Sequence, residues 1–122
     1  MNYLVSMAPR NLGSSMKIIR KADAVARKIA DSYTVNNLLT AQDSELISVA
    51  MSEANEHEEV TTALSERAYY ILDGEITVDD KLVGKPGDVI YIPKDTTYKF
   101  SGSFKAVLVN SPPFGKISKQ PK

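Results

Sequence analysis

The sequence predicts an all-β domain, a small barrel or sandwich with one N-terminal helix. Three observations carry this. Short apolar runs succeed one another from Tyr33 to Val109. Strong turn sequences separate them, among them Asp73-Gly74, Asp79-Asp80 and Lys85-Pro86-Gly87-Asp88. Only residues 21–31 place apolar side chains at helical spacing. Short strands with frequent turn chemistry are the signature of a β-barrel or sandwich.

The chain has 122 residues, which makes one domain the default. At about this size folding buries roughly two-thirds of the surface the unfolded chain exposes, enough for one core. Hydrophobic residues at 43% and charged residues at 25% are the balance of a globular protein. Fifteen basic and fifteen acidic residues cancel, which argues against nucleic acid or an anionic membrane as the partner. Cysteine is absent, so neither disulfides nor thiolate chemistry are available, as suits a reducing cytoplasm. No apolar run approaches the roughly 18 residues of a membrane span, and Leu4-Val5 is soon followed by Pro9 and Arg10, unlike a signal peptide. The expectation is a cytoplasmic protein.

Residues 1–15 contain Pro9, Asn11, Gly13, Ser14 and Ser15, all turn formers, and read as a variable N-terminal leader. Met16 is a second candidate start. Lys17-Ile18-Ile19 has the composition of a short edge strand. In residues 21–31, KADAVARKIAD, the residues Ala22, Val25, Ala26, Ile29 and Ala30 make one helical stripe. Asp23 early and Arg27-Lys28 late complement a helix dipole. Such a helix packs on the outside of the barrel, or serves as a lid or partner-binding element.

Strands are expected over residues 33–40 and 44–51, with Ala41-Gln42-Asp43 turning between them. Residues 52–59 collect Glu53, Glu56, Glu58 and Glu59 and read as a solvated loop, because like charges repel and stay wet. Residues 60–64 make another short strand. The stretch 66–93 holds three more: Ala68 to Leu72, broken by Asp73-Gly74; Ile76 to Val78, followed by Asp79-Asp80 as a two-residue hairpin connection; and Val89 to Ile92, preceded by a type II turn at Lys85-Pro86-Gly87-Asp88 and stopped by Pro93. Lys94 to Thr97 turns the chain, Ser101-Gly102-Ser103 ends a strand begun at Tyr98, and Pro112-Pro113 closes a strand from Phe104 to Val109. The domain is thus expected over residues 16–113, with about eight or nine short strands. Residues 114–122, with Lys116, Lys119 and Lys122, read as a basic C-terminal tail.

The run Glu66, Tyr69 to Leu72 and Gly74, followed by Pro86-Gly87-Asp88, Val89 to Ile92 and Pro93, resembles the two conserved motifs of the cupin superfamily. The resemblance covers residues 66–111. It implies a small double-stranded β-helix, the RmlC-like jelly-roll barrel. Within the superfamily the run Pro86 to Lys94 is most similar to the cupin domain of ethanolamine-utilisation proteins of the EutQ type. Those proteins are linked by family to bacterial microcompartments and an acetate-kinase activity. The resemblance also implies a homodimer, since family members commonly pair through sheet edges and pairing protects those edges.

Metal-binding cupins take two His as H-x-H and a Glu from the first motif, and a third His five residues after the Pro of the second. Here the Glu position falls at Arg67, with Glu66 one residue away. The H-x-H positions fall at Val60 and Thr62, or at Thr61 and Ala63, and the third His at Tyr98. His57 is the single histidine of the chain. The metal site is degenerate residue by residue, and no cofactor is expected. The alternative is a divalent transition metal held by His57, Glu59, Glu66 and Tyr98, if the segment before Val60 carries an insertion.

By the same register Arg67 faces the barrel with Tyr69 and Ile71, opposite Tyr98 and Phe100. A guanidinium fork among phenols is suited to a small anion or carboxylate; equally, the tyrosines fill the core with satisfied hydroxyls. A one-residue bulge would instead turn Glu66 inward. The ligand-binding set expected is therefore Arg67, Tyr69, Tyr98, Phe100 and Glu66. The function expected is a metal-free cupin that binds a small organic, anionic ligand, or a regulatory or assembly subunit. The alternatives are a purely structural dimer and a cupin enzyme, an isomerase, lyase or EutQ-like transferase, with a rearranged metal site. Gly84-Lys85-Pro86-Gly87 lies between strands and is no phosphate cradle.

Overall fold

A computed structural model describes residues 16–114. Among the described residues lie one 3-10 turn, Lys21–Asp23, and eight strands: β1 Val25–Ala30, β2 Tyr33–Leu39, β3 Ser48–Ala63, β4 Glu66–Gly74, β5 Ile76–Val78, β6 Leu82–Gly84, β7 Val89–Ile92 and β8 Thr96–Ser111. They pair antiparallel in the order β1-β2-β3-β8-β4-β7, with β5 joining β8 to β6. This is the all-β jelly-roll barrel that the turn pattern and the cupin resemblance led us to expect.

The spine is the pairing of β3 with β8, each of 16 residues. Side chains alternate between core and outside along both strands. On β8 the inward positions are Tyr98, Phe100, Phe104, Ala106, Leu108 and Asn110, all of one parity. On β3 the parity changes. Ser48, Ala50 and Ser52 are buried in the first half, His57 and Ala63 in the second. A bulge between Ala54 and His57 makes the switch. Glu56 sits there with φ of 47°, and its N–H donates to Ser103 Oγ at 2.8 Å.

That bulge corrects one expectation. Residues 52–59 are not a loop; they continue β3, with the repulsion among glutamates relieved because Glu53 and Glu58 face solvent while Glu59 turns inward. Nor do residues 101–103 end a strand. Gly102, at φ of +134°, lets β8 pass close to the Glu75 carbonyl without a break. The strands are therefore fewer and longer than expected, because one strand can change partners and faces at a bulge without stopping.

A second correction concerns residues 21–31. After the 3-10 turn the chain is strand, and Val25 and Ile29 are exposed. An isolated helix of this length is marginal in water. As β1 the segment bonds along β2, from Ala30↔Tyr33 to Val25↔Asn37, and covers an edge that would otherwise be open. Residues 16–20 carry no regular structure, so the expected edge strand at Lys17–Ile19 is absent. The leader, residues 1–15, and all of the basic tail but Phe114 lie outside the described residues.

The turns behave as their chemistry dictates. Asp79 and Asp80 have φ of 52° and 58°, the two left-handed residues of a type I′ hairpin. Gly87 has φ of +95°, and the Asp88 N–H donates to the Lys85 carbonyl at 2.9 Å. Ile71, Ile76, Val78, Ile90, Ile92 and Phe100 are buried together in the apolar core. Ser48, Ser52, His57, Arg67 and Asn110 are buried polar side chains, and Ser48, Arg67 and Asn110 border the site.

Candidate functional site

Three strands place the polar inward groups. Arg67 and Tyr69 come from β4, Tyr98 and Asn110 from the two halves of β8, and Glu59 and Thr61 from β3 after its bulge. Arg67↔Asn110 are register partners across β4 and β8. Arg67 is only 8% exposed. Its Nε–H donates to Asn110 Oδ1 at 2.8 Å and its Nη1–H to the Tyr98 hydroxyl at 2.9 Å. Tyr98 and Tyr69 hydroxyls are bonded to each other at 2.5 Å.

These groups close one side of a cavity of about 150 Å³. Arg67, Tyr69 and Phe100 line it; Tyr33, Glu59 and Asn110 complete much of the wall. Burial works against the charge of Arg67, but the electron-rich oxygens of Tyr98 and Tyr69 outweigh it and raise its pKa. The guanidinium therefore stays cationic. Among the described residues no carboxylate pairs with it. Burial pushes the Tyr33 phenol up to about 12, against a smaller opposite effect of the Ser52 hydroxyl. Burial likewise holds Tyr69 well above the usual phenol range, with Tyr98 adding to it. The hydroxyls are thus neutral hydrogen-bonding groups.

A second polar row runs along the bulge. His57 is buried, stacked on Tyr33 with ring centroids 4.8 Å apart. Its Nε2 lies 2.7 Å from Glu59 Oε1 and its Nδ1 2.7 Å from Ser32 Oγ. A carboxylate only accepts, so Nε2–H donates to Glu59; in the neutral ring Nδ1 then accepts from the Ser32 hydroxyl.

Of the residues singled out from sequence, Arg67, Tyr69, Phe100 and, from the alternative metal set, Glu59 line the cavity, and Tyr98 is hydrogen-bonded to Arg67. Glu66 does not join them. It points outward, where it accepts from the Tyr91 hydroxyl at 2.9 Å. No bulge at this point turns it inward, because β4 pairs in continuous register with β7 and β8 from Arg67 to Tyr70. The rearranged metal set is accordingly dispersed: His57 and Glu59 touch, Tyr98 is engaged with Arg67 and Tyr69, and Glu66 is outside. Among the described residues no three His, Asp or Glu side chains gather as metal ligands. The donors present do not fit a cupin metal centre.

Asn110 and Tyr33 were not singled out from sequence. Asn110 carried a usable signal: it follows Ala106 and Leu108 at a spacing of two, so it continues the inward face of an apolar strand. Tyr33 reaches the cavity because β2 pairs with β3, with Tyr33 opposite Ala54, which no local pattern announces.

A jelly-roll barrel with these two motifs defines a cupin. The chain belongs to the family described as ethanolamine utilisation protein EutQ, which matches residues 12–111. Among solved structures it is similar to the ethanolamine utilization protein Q of Salmonella typhimurium LT2, at 20% identity and a TM-score of 0.71, over 83% of this chain and 89% of that one. It is also similar to the EutQ protein of Clostridium difficile, at 22% identity and a TM-score of 0.59, over 82% and 90%. The polyketide cyclase RemF of Streptomyces resistomycificus is similar at 19% identity and a TM-score of 0.66, over 79% of both chains. At these identities the likeness is one of fold. No curated protein sequence matches the chain significantly.

Proposed function

We propose that the barrel binds a small organic anion in the cavity faced by Arg67, without a resident metal. The observation that carries this is a buried cation with no carboxylate paired to it among the described residues. Burying a charge without an ionic partner costs several kcal/mol, and the phenols and Asn110 answer it with hydrogen-bond acceptors that carry no opposite charge. A carboxylate or phosphate group bound from the cavity would complete the site through the free side of the fork, since Nη2 has no protein acceptor among the described residues. The cavity of about 150 Å³ holds a ligand of about six to eight heavy atoms, the size of benzene or slightly larger. The enzyme reading through a rearranged metal site draws no support from donors that point apart.

The test is a thermal-shift and calorimetric screen of the full chain against small carboxylates and phosphate esters, with Arg67→Gln alongside. Binding by the wild type that weakens at least tenfold in Arg67→Gln supports the proposal; equal binding by both refutes it. Elemental mass spectrometry on the untagged protein tests the metal-free claim, which a stoichiometric transition metal would overturn.

We further propose a cytoplasmic homodimer as the working form. Tyr70, Val89 and Tyr91 expose apolar surface on adjoining strands, continuous by register with the half-buried Val107 and Val109 of β8. A face this apolar on a charged protein is suited to a second copy of itself. Such a dimer is compatible with a regulatory or assembly role.

A further inference from the structure

Arg67 and Glu59 line one cavity yet do not pair with each other. Each is held by its own set of hydrogen-bond partners. Arg67 is tied to Asn110 and Tyr98, and Glu59 to His57, which Ser32 and the Tyr33 ring fix in turn. In a low-dielectric cavity two opposite charges attract strongly, so keeping them apart takes rigid partners on both sides. The bulge at Glu56 adds to this. It spends one residue of β3 to turn His57 and Glu59 inward, where unbroken alternation would have presented Glu56 and Glu58.

We infer that the ligand is a small zwitterion, with an anionic group on Arg67 and an ammonium group on Glu59. This rests on the proposed anion site and names the class of molecule it takes. The two heads of such a ligand satisfy both of these charges at once. A simple anion leaves Glu59 facing an alkyl end; a simple amine leaves Arg67 bare. His57 is a positioning residue: it fixes the orientation of the Glu59 carboxylate and does not touch the ligand.

Calorimetry with three probes of matched length decides the matter: 4-aminobutanoate, butanoate and butylamine, titrated into the full chain. The wild type is expected to bind 4-aminobutanoate at least about tenfold more tightly than butanoate, the scale of one charge-assisted contact. Glu59→Gln should erase this preference and bind butanoate no worse than the wild type, since a like charge has left the cavity. His57→Gln should narrow the preference while leaving butanoate affinity in place, which a general loss of structure would not do. Equal affinity for butanoate and 4-aminobutanoate overturns the inference and leaves the anion site standing. A preference that survives Glu59→Gln also overturns it. If neither butanoate nor 4-aminobutanoate binds, the anion site falls and the inference with it.

Discussion

Arg67 and Tyr98, 31 residues apart in sequence, meet inside the barrel through an Nη1–H bond of 2.9 Å to the phenol oxygen. The same oxygen bonds the Tyr69 hydroxyl. One phenol thus anchors the cation and a second tyrosine. Tyr98→Phe removes the acceptor for a buried cation and the partner of a buried hydroxyl. The expected loss of stability is about 1–3 kcal/mol, read by urea unfolding, together with weaker carboxylate binding. A loss below about 0.5 kcal/mol, in the range of an ordinary surface substitution, would mean that water replaces the phenol oxygen freely.

The raised phenols make stability depend on alkaline pH. Folded Tyr33 keeps its proton to about 12, whereas the unfolded phenol releases it at the ordinary value of 10.0. Below that lower value both states are protonated and the contribution is complete. Between the two values the unfolded chain binds fewer protons, so stability falls as pH rises. The loss from Tyr33 alone is about 2 kcal/mol by pH 12, and Tyr69 acts in the same direction. Chemical denaturation in steps from neutral pH upward should show a plateau and then this decline. Tyr33→Phe should flatten the decline, and an unchanged slope would contradict the assignment.

Gly102 permits the close crossing of β8 over the β4–β5 turn. A Cβ there would strike the Glu75 carbonyl, and the residue's φ of +134° is one that side chains rarely adopt. Gly102→Ala should cost about 1–3 kcal/mol or more, measured by thermal unfolding. A variant as stable as the wild type would show that this crossing is loose.

The dimer is tested by charge. Tyr70→Lys with Tyr91→Lys places two cations on the exposed apolar face, where pairing would bury them at high cost. Sedimentation should find the wild type dimeric at micromolar concentration and the double variant monomeric. A monomeric wild type contradicts the dimer outright.

The stretch 66–93 was legible in sequence because its turns are chemically explicit. Asp79-Asp80, Pro86-Gly87 and Pro93 each force or end something locally, and the alternation of Arg67, Tyr69 and Ile71 follows from strand geometry alone. The first half was harder. The apolar spacing in residues 21–31 satisfies a helix, yet pairing with β2 decided the outcome, a tertiary effect that local periodicity does not register. The inward turn of His57 and Glu59 depends on a single inserted residue at the bulge, and among four glutamates nothing in sequence says which one occupies it. So Arg67 and its phenols were found from sequence, while His57 and Glu59 were named only as candidate metal ligands and Tyr33 was not named.

The most direct measurement of the central claim is the NMR signal of the Arg67 Nε–H group as a small carboxylate is titrated in. That N–H is bonded to Asn110 Oδ1 at 2.8 Å, so it is protected from exchange with water and can be observed. Assignment rests on the loss of the signal in Arg67→Gln. If the fork receives the anion, the resonance should shift along a saturable curve that matches the calorimetric affinity. A resonance that stays in place while carboxylate binds elsewhere, or while none binds at all, would contradict the account.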